Sequence, residues 1–314
     1  MTLLQLEYII AVDTYGSFVA AAEKSFVTQP TLSMQIQKLE ETLGVKLFNR
    51  SVHPVEATEI GKKVIQQARV VLAESQRIQD LINDEKGELA GDLRVGVIPT
   101  VAPYLLPQIV PAFTKKYPHI KLHIWEYTTA KVVKMLKNGL LDCGLLSTPL
   151  NDNEVEEIPL YYESFVAYVS EKSPLFQKRL MRVDDIAEEK LWLLNEGHCM
   201  RGQVLNICNY RQAAAISNSQ IEYNTGSIET LINMVDVNGG VTILPELSIT
   251  GYTQDQMKRI RYFRSPEPVR EISLIVPQVY AKKKMVQAFQ QAVEDYVPEH
   301  LKSKKKKELM AFDL

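Results

Sequence analysis

Cysteine is scarce in this sequence, with three in 314 residues. A small secreted scaffold stapled by disulfides needs a far denser set, so that class is excluded. No apolar stretch approaches the ~20 residues that a bilayer-spanning helix requires, and the run at 105–113 contains Pro107 and Pro111. The first ten residues carry Glu7 and no Lys or Arg ahead of their apolar positions, so they do not read as an export signal. A reducing, cytoplasmic setting without a membrane partner is the expectation. One-sided charge is missing too: 36 Lys and Arg against 38 Asp and Glu leave a formal net charge of -2. That excludes a globally basic nucleic-acid coat protein but leaves room for one basic face. Gly (14) and Pro (15) are at ordinary globular levels, neither collagen-like nor low-complexity.

The chain that remains is long enough for two or three domains. Helical periodicity dominates up to residue 87. Between residues 92 and 277, β-branched runs at 93–98, 120–126, 143–146, 165–169, 191–194, 241–244 and 272–276 alternate with helical stretches at 104–116, 129–138 and 227–237. Such alternation predicts an α/β domain with a mostly parallel sheet, either one large sheet or two lobes around a cleft. The polar, Gly-containing stretch 84–91 marks the boundary. The Lys-rich tail, 301–314, reads as a solvated end rather than a DNA-contacting arm.

Within the first sixty residues, Ser17 is placed to cap a helix beginning at Phe18, and Thr28 to cap a second with Pro30 in its first turn. In that second helix Leu32, Ile36 and Leu39 share a face. The opposite face offers Thr31, Ser33, Gln35, Gln37 and Lys38, side chains able to bond base edges and phosphates. A turn at Gly44 leads to Val45, Leu47 and Phe48, which pin a segment from which Lys46, Arg50 and His53 would project as a wing. Four Lys and Arg against seven Asp and Glu in residues 1–60 make a poor electrostatic footprint for DNA. On these grounds a helix-turn-helix and a small helical bundle both remain open. Beyond Gly61, Val64, Ala68, Val71, Ser75, Ile78 and Ile82 recur in a heptad rhythm, consistent with a two-helix dimer or with packing on the helix's own domain.

Cys143 lies in an apolar strand and reads as a buried packing residue. Cys199 follows Gly197-His198, at a strand-to-helix junction beside Arg201, where a helix N-terminus and a guanidinium would favour thiolate. Cys208 lies nine positions on. A helix between them would rise about 13.5 Å and turn about 180°, whereas a disulfide needs Cα atoms within roughly 7 Å. Oxidative pairing would therefore require dismantling that helix, which Gly202 and Asn206 make easier. Two ordinary core cysteines are the plain alternative. A metal site on His198, Cys199 and Cys208 lacks a fourth ligand at known spacing, so no metal or other cofactor is expected.

Phe18-x-x-Ala21-Ala22, Thr28-Gln29-Pro30-Thr31-Leu32-Ser33, Gln35-Ile36-x-x-Leu39-Glu40 and Leu43-Gly44-Val45-x-Leu47-Phe48-x-Arg50 resemble the DNA-binding region of LysR-type transcriptional regulators. Gly197-His198-Cys199-x-Arg201-x-Gln203, Cys208, Ser227-x-Glu229-Thr230-Leu231 and Pro99-Thr100-Val101-x-Pro103-Tyr104 resemble the peroxide-sensing members of that family. The resemblance runs from the N-terminus to about residue 277. It implies a winged helix-turn-helix (1–60), a linker and dimerisation helix (61–87), and a two-lobed α/β regulatory domain like periplasmic binding proteins (91–300). The lobes would be 91–163 with 266–300, and 164–265.

The resemblance assigns Thr28, Gln29, Pro30, Thr31 and Ser33 to the DNA face and Arg50 to the wing. It makes Cys199 the peroxidatic residue and Cys208 the resolving one, with Thr100, Thr129, His198 and Arg270 around the peroxide. The partners it implies are double-stranded promoter DNA, hydrogen peroxide, RNA polymerase, a thiol reductant and further copies of the chain as a homodimer or tetramer. A metabolite-sensing regulator of the same fold and a thiol peroxidase are the competing readings. The DNA-binding half argues against an enzyme.

Overall fold

Side-chain caps set the first helices. Thr2 and Gln5 form a capping box at the start of α1 (Leu3–Tyr15), Ser17 accepts from the Ala20 N–H at α2 (Phe18–Lys24), and Thr28 accepts from the Thr31 N–H at α3 (Gln29–Leu43). Gly44 ends α3 at φ 69°, the left-handed conformation that an L side chain adopts reluctantly. The chain then forms a two-stranded antiparallel wing, β1 (Phe48–Asn49) and β2 (Glu56–Ala57), and enters the 28-residue α4 (Glu59–Lys86). Leu32, Ile36 and Leu39 are wholly buried against Leu6, Ile9 and Leu47. The expected apolar face of α3 is thus the domain core.

This computed structural model describes residues 1–86, 89–150, 152–186, 189–207, 225–302 and 307–309. They form two compact units, one built on Met1–Lys86 and one on the chain from Gly87 onward. The heptad seam divides within the first unit. Val64, Ala68 and Val71 pack on the helix-turn-helix core, so this half of the rhythm serves the domain's own packing. Ile78, Leu81 and Ile82, further along α4, are exposed.

In the second unit, β3 (Gly91–Val97) lies between β4 (Ile120–Glu126) and β5 (Cys143–Thr148), parallel to both. The crossovers are α5 (Ala102–Lys116) and α6 (Thr129–Lys137). The fifteen-residue β6 (Val155–Val169) follows, then β7 (Leu180–Met181), β8 (Leu191–Trp192), α7 (Cys199–Ile207), α8 (Ile228–Asn238) and β9 (Val241–Pro245). The short α9 (Gln254–Met257), β10 (Ile260–Phe263), β11 (Glu267–Pro277) and α10 (Lys283–Tyr296) complete the unit. Among the described residues no helix is long and apolar enough to cross a membrane.

The sheet is mixed rather than mostly parallel. Its main path runs β4-β3-β5-β11-β6-β10-β7, and β6 and β11 are antiparallel to each other; β5 runs antiparallel to β11, and β9 and β10 to β6. The apolar run at 165–169 is the C-terminal third of β6. The rest is mixed in polarity and holds Pro159, which sits opposite Ser273 where the ladder register shifts. β6 crosses between two cores. Leu160 and Tyr161 belong to the core with Leu93, Leu105 and Phe289, whereas Phe165 onward belongs to the core with Val204, Leu231 and Ile243. Within the tail, Lys307–Leu309 forms a strand, β12, parallel to Glu267–Val269 of β11.

Candidate functional site

On the first unit, Thr28, Gln29 and Pro30 are exposed at the start of α3, with Thr31 and Ser33 half-buried behind them. The Thr28 and Thr31 hydroxyls are 2.8 Å apart, which orients both at the helix entrance. Arg50 is exposed just after β1 and also reaches α3. Its Nη1 donates to Ser33 Oγ at 3.2 Å, its Nη2 lies 3.5 Å from Glu40 Oε2, and its guanidinium covers the Phe18 ring at 4.7 Å. Arg50 thus keeps its guanidinium against α3 while remaining exposed, as Lys46 and His53 also are. Glu40 has turned inward: it is buried, accepts the Leu47 N–H at 2.8 Å and pairs with Lys46 at 3.2 Å. One of the seven acids counted against DNA binding is thus neutralised and withdrawn from the polar face.

In the second unit, Cys199 is the first residue of α7, and its side chain is buried. Burial pushes its thiol above the ordinary cysteine range. The Thr129 hydroxyl, the Arg270 guanidinium and the backbone N–H groups of Met200 and Cys199 pull the other way without overcoming it. The expectation of an Arg201-favoured thiolate is thereby corrected: Arg201 Nη1 donates to the Leu194 carbonyl at 2.9 Å, and the resting group is a thiol. The cation that acts on it comes from β11.

Arg270 is wholly buried. Its Nε donates to Glu163 Oε1 at 2.9 Å and Nη2 lies 2.8 Å from the same oxygen; Nη1 donates to Thr100 Oγ1 at 2.8 Å and Nη2 to the Thr100 carbonyl at 3.0 Å. Glu163 Oε2 accepts the Leu247 N–H at 3.2 Å. Because Thr100 Oγ1 accepts from Arg270, its own hydrogen is left to donate elsewhere. Thr129 Oγ1 is buried with no hydrogen-bond partner among the described residues, although it lies close enough to influence the Cys199 thiol. A better-aligned polar guest beside the thiol would satisfy this hydroxyl more fully. His198 is half-buried against Gly226, and burial lowers its pKa, favouring the uncharged ring.

Thr100, Thr129, Cys199 and Arg270 thus converge where the two lobes meet, with His198 preceding the thiol in the chain. Cys208 lies outside the described residues. Cys143 is buried with its thiol pushed up by burial, and both it and Cys199 are free. Among the described residues no group of three or more His, Cys, Asp or Glu is placed to hold a metal. Two buried polar residues were assigned no role in the reading of the sequence. Glu163, the counter-ion of Arg270, was signalled by a lone acid entering the apolar run at 165. Gln203, wholly buried one turn after Cys199, stands in the motif that carries the resemblance but was given no role there.

A winged helix-turn-helix and a two-lobed α/β body with a polar site between its lobes define a ligand-responsive transcriptional regulator. Residues 3–62 match the family model "Bacterial regulatory helix-turn-helix protein, lysR family", and residues 86–298 match "LysR substrate binding domain". The chain belongs to the LysR family. It is 36% identical over 277 residues to the "Hydrogen peroxide-inducible genes activator" of Haemophilus influenzae, covering 88% of this chain and 90% of that one. It is 34% identical to the "DNA-binding transcriptional dual regulator OxyR" of Escherichia coli, covering 88% and 89%. Among solved structures, a full-length OxyR variant from Pseudomonas aeruginosa superposes with a TM-score of 0.73 at 30% identity, covering 94% of this chain and 98% of that one.

Proposed function

We propose that this regulator senses hydrogen peroxide through reversible pairing of Cys199 with Cys208, and that the pairing resets its contacts with promoter DNA. The convergence of Thr129, Arg270 and the N-terminus of α7 on one buried thiol carries this reading, and the peroxide-named relatives support it. Peroxide held between the Thr100 and Thr129 hydroxyls meets the sulfur of Cys199 as thiolate, its proton passed to local water. The sulfur attacks one oxygen, the O–O bond breaks, and the departing hydroxide takes a proton from a hydroxyl or water. Arg270 stabilises the negative charge that develops. The Cys208 thiol then attacks the Cys199 sulfenic acid and expels water. Two thiols have lost two electrons and one peroxide has become two waters. A thiol reductant returns two electrons and two protons.

The disulfide requires remodelling because α7 runs unbroken from Cys199 to Ile207. Residues nine apart on a helix are separated by about 13.5 Å, roughly twice the Cα reach of a disulfide. Thr28, Gln29, Pro30, Thr31 and Ser33 present the DNA face, with Arg50 beside them. The exposed end of α4 joins two copies, matching a two-fold promoter site, and tetramers made of two such dimers engage RNA polymerase. The test is a brief peroxide pulse followed by thiol mapping by mass spectrometry and a promoter-occupancy assay. Wild type should gain one Cys199–Cys208 bond and change its occupancy, and Cys199→Ser should do neither. An occupancy change that persists in Cys199→Ser sinks the redox reading.

A further inference from the structure

The nine residues of α7 are shared between two cores. Met200, Val204 and Ile207, at helical spacing, are buried in the core of the lobe that contains Phe165 and Leu231. Cys199 belongs to the other core. Gln203, four residues from Cys199 and so on the same helix face, is also wholly buried, although a long amide is a costly choice for filling apolar space. Its Nε2 donates to Ser147 Oγ at 3.0 Å. Ser147, on β5, donates in turn to the Glu271 carbonyl on β11 at 3.1 Å. One rung along, Thr148 Oγ1 donates to Glu271 Oε1 at 2.7 Å and lies 2.5 Å from Ser273 Oγ, so Gln203 is tied to a braced pair of strands.

We infer that Gln203 is a positioning residue for Cys199: its bond to Ser147 ties α7 across the lobe boundary and sets how readily the helix opens. The inference rests on the redox reading for its consequence, since unwinding α7 to bring Cys208 to Cys199 must break this tie. It does not rest on that reading for its existence, since the tie belongs to the reduced protein. Gln203 forms no part of the oxidation chemistry. It governs the step after it, the collapse of the sulfenic acid into the disulfide.

Gln203→Met, Ser147→Ala and the double variant test this in the full-length protein. In the reduced state, amide hydrogen exchange across α7 should quicken about tenfold in each single variant, the scale of one net hydrogen bond. The double variant should quicken no further, because both changes remove the same bond. After a peroxide pulse, disulfide formation should accelerate by a similar factor while the rate of the first oxidation stays within about twofold. Val204→Ala, which loosens core packing without touching the tie, should speed exchange across its whole lobe. Unchanged α7 exchange in both single variants, or fully additive effects in the double, overturns the inference. Faster α7 exchange without any disulfide in wild type leaves the tie standing and defeats the redox reading alone.

Discussion

At Cys199 two opposing effects meet, and burial wins. Its thiol is held above the usual range, so the reactive thiolate is a minor species near neutrality and its fraction grows tenfold per pH unit below the pKa. The second-order rate of Cys199 oxidation by peroxide should therefore rise about tenfold per unit from pH 6 to 8 and still climb at pH 8.5. Stopped-flow measurement checks this, and a plateau below pH 7 would show that Thr129, Arg270 and the helix N-terminus dominate instead. For stability the sign is the reverse. A raised thiol pKa contributes fully below the unfolded value and is lost as pH rises through the folded one. Arg270 cannot be treated as a removable charge, because it leaves behind Glu163, buried and unpaired, a loss of roughly 3–5 kcal/mol.

At the scale of elements, the join between wing and α4 depends on the absence of a side chain. A Cβ at Gly61 would lie 2.0 Å from the Leu47 carbonyl oxygen, a backbone atom with no freedom to yield. Thr58 holds the same crossing, donating its hydroxyl to the Lys46 carbonyl at 2.8 Å and accepting the Gly61 N–H at 3.0 Å. Gly61→Ala should therefore lower the melting temperature of the DNA-binding unit by several degrees and weaken promoter binding, while thiol oxidation at Cys199 proceeds unchanged. Calorimetry and a DNA gel shift read the first two effects, and thiol mapping reads the third. The caps and apolar face of α3 were legible beforehand, since Ser17, Thr28 and Gly44 act through neighbours within a few residues. The contacts of Arg50 with α3 were not legible, because Ser33 and Glu40 lie 17 and 10 positions away.

For the whole molecule, the acid excess of residues 1–60 argues that DNA recognition would need more than one copy, as proposed above. Withdrawing Glu40 improves the polar face without making the domain basic, so a single copy gains little from phosphate contacts. Ile78, Leu81 and Ile82 form the exposed apolar stripe that a second copy would cover. Replacing Ile78 and Ile82 with Glu should shift the protein toward smaller species in sedimentation velocity. Promoter affinity should fall at least tenfold, with the fold of the DNA-binding unit intact by circular dichroism. Unchanged sedimentation would assign that stripe another role.

Local chemistry alone determined the capped helices of the DNA-binding unit, most strand cores of the α/β body and the position of Cys199 at a helix start. Each follows from residues within a turn or a strand of one another. The tertiary structure decided what that thiol experiences. Glu163 meets Arg270 across 107 positions and Gln203 meets Ser147 across 56, so no local pattern announces either pair. It also decided the direction of the thiol's pKa, because desolvation sums over every atom packed around the sulfur and spacing along the chain does not record that sum.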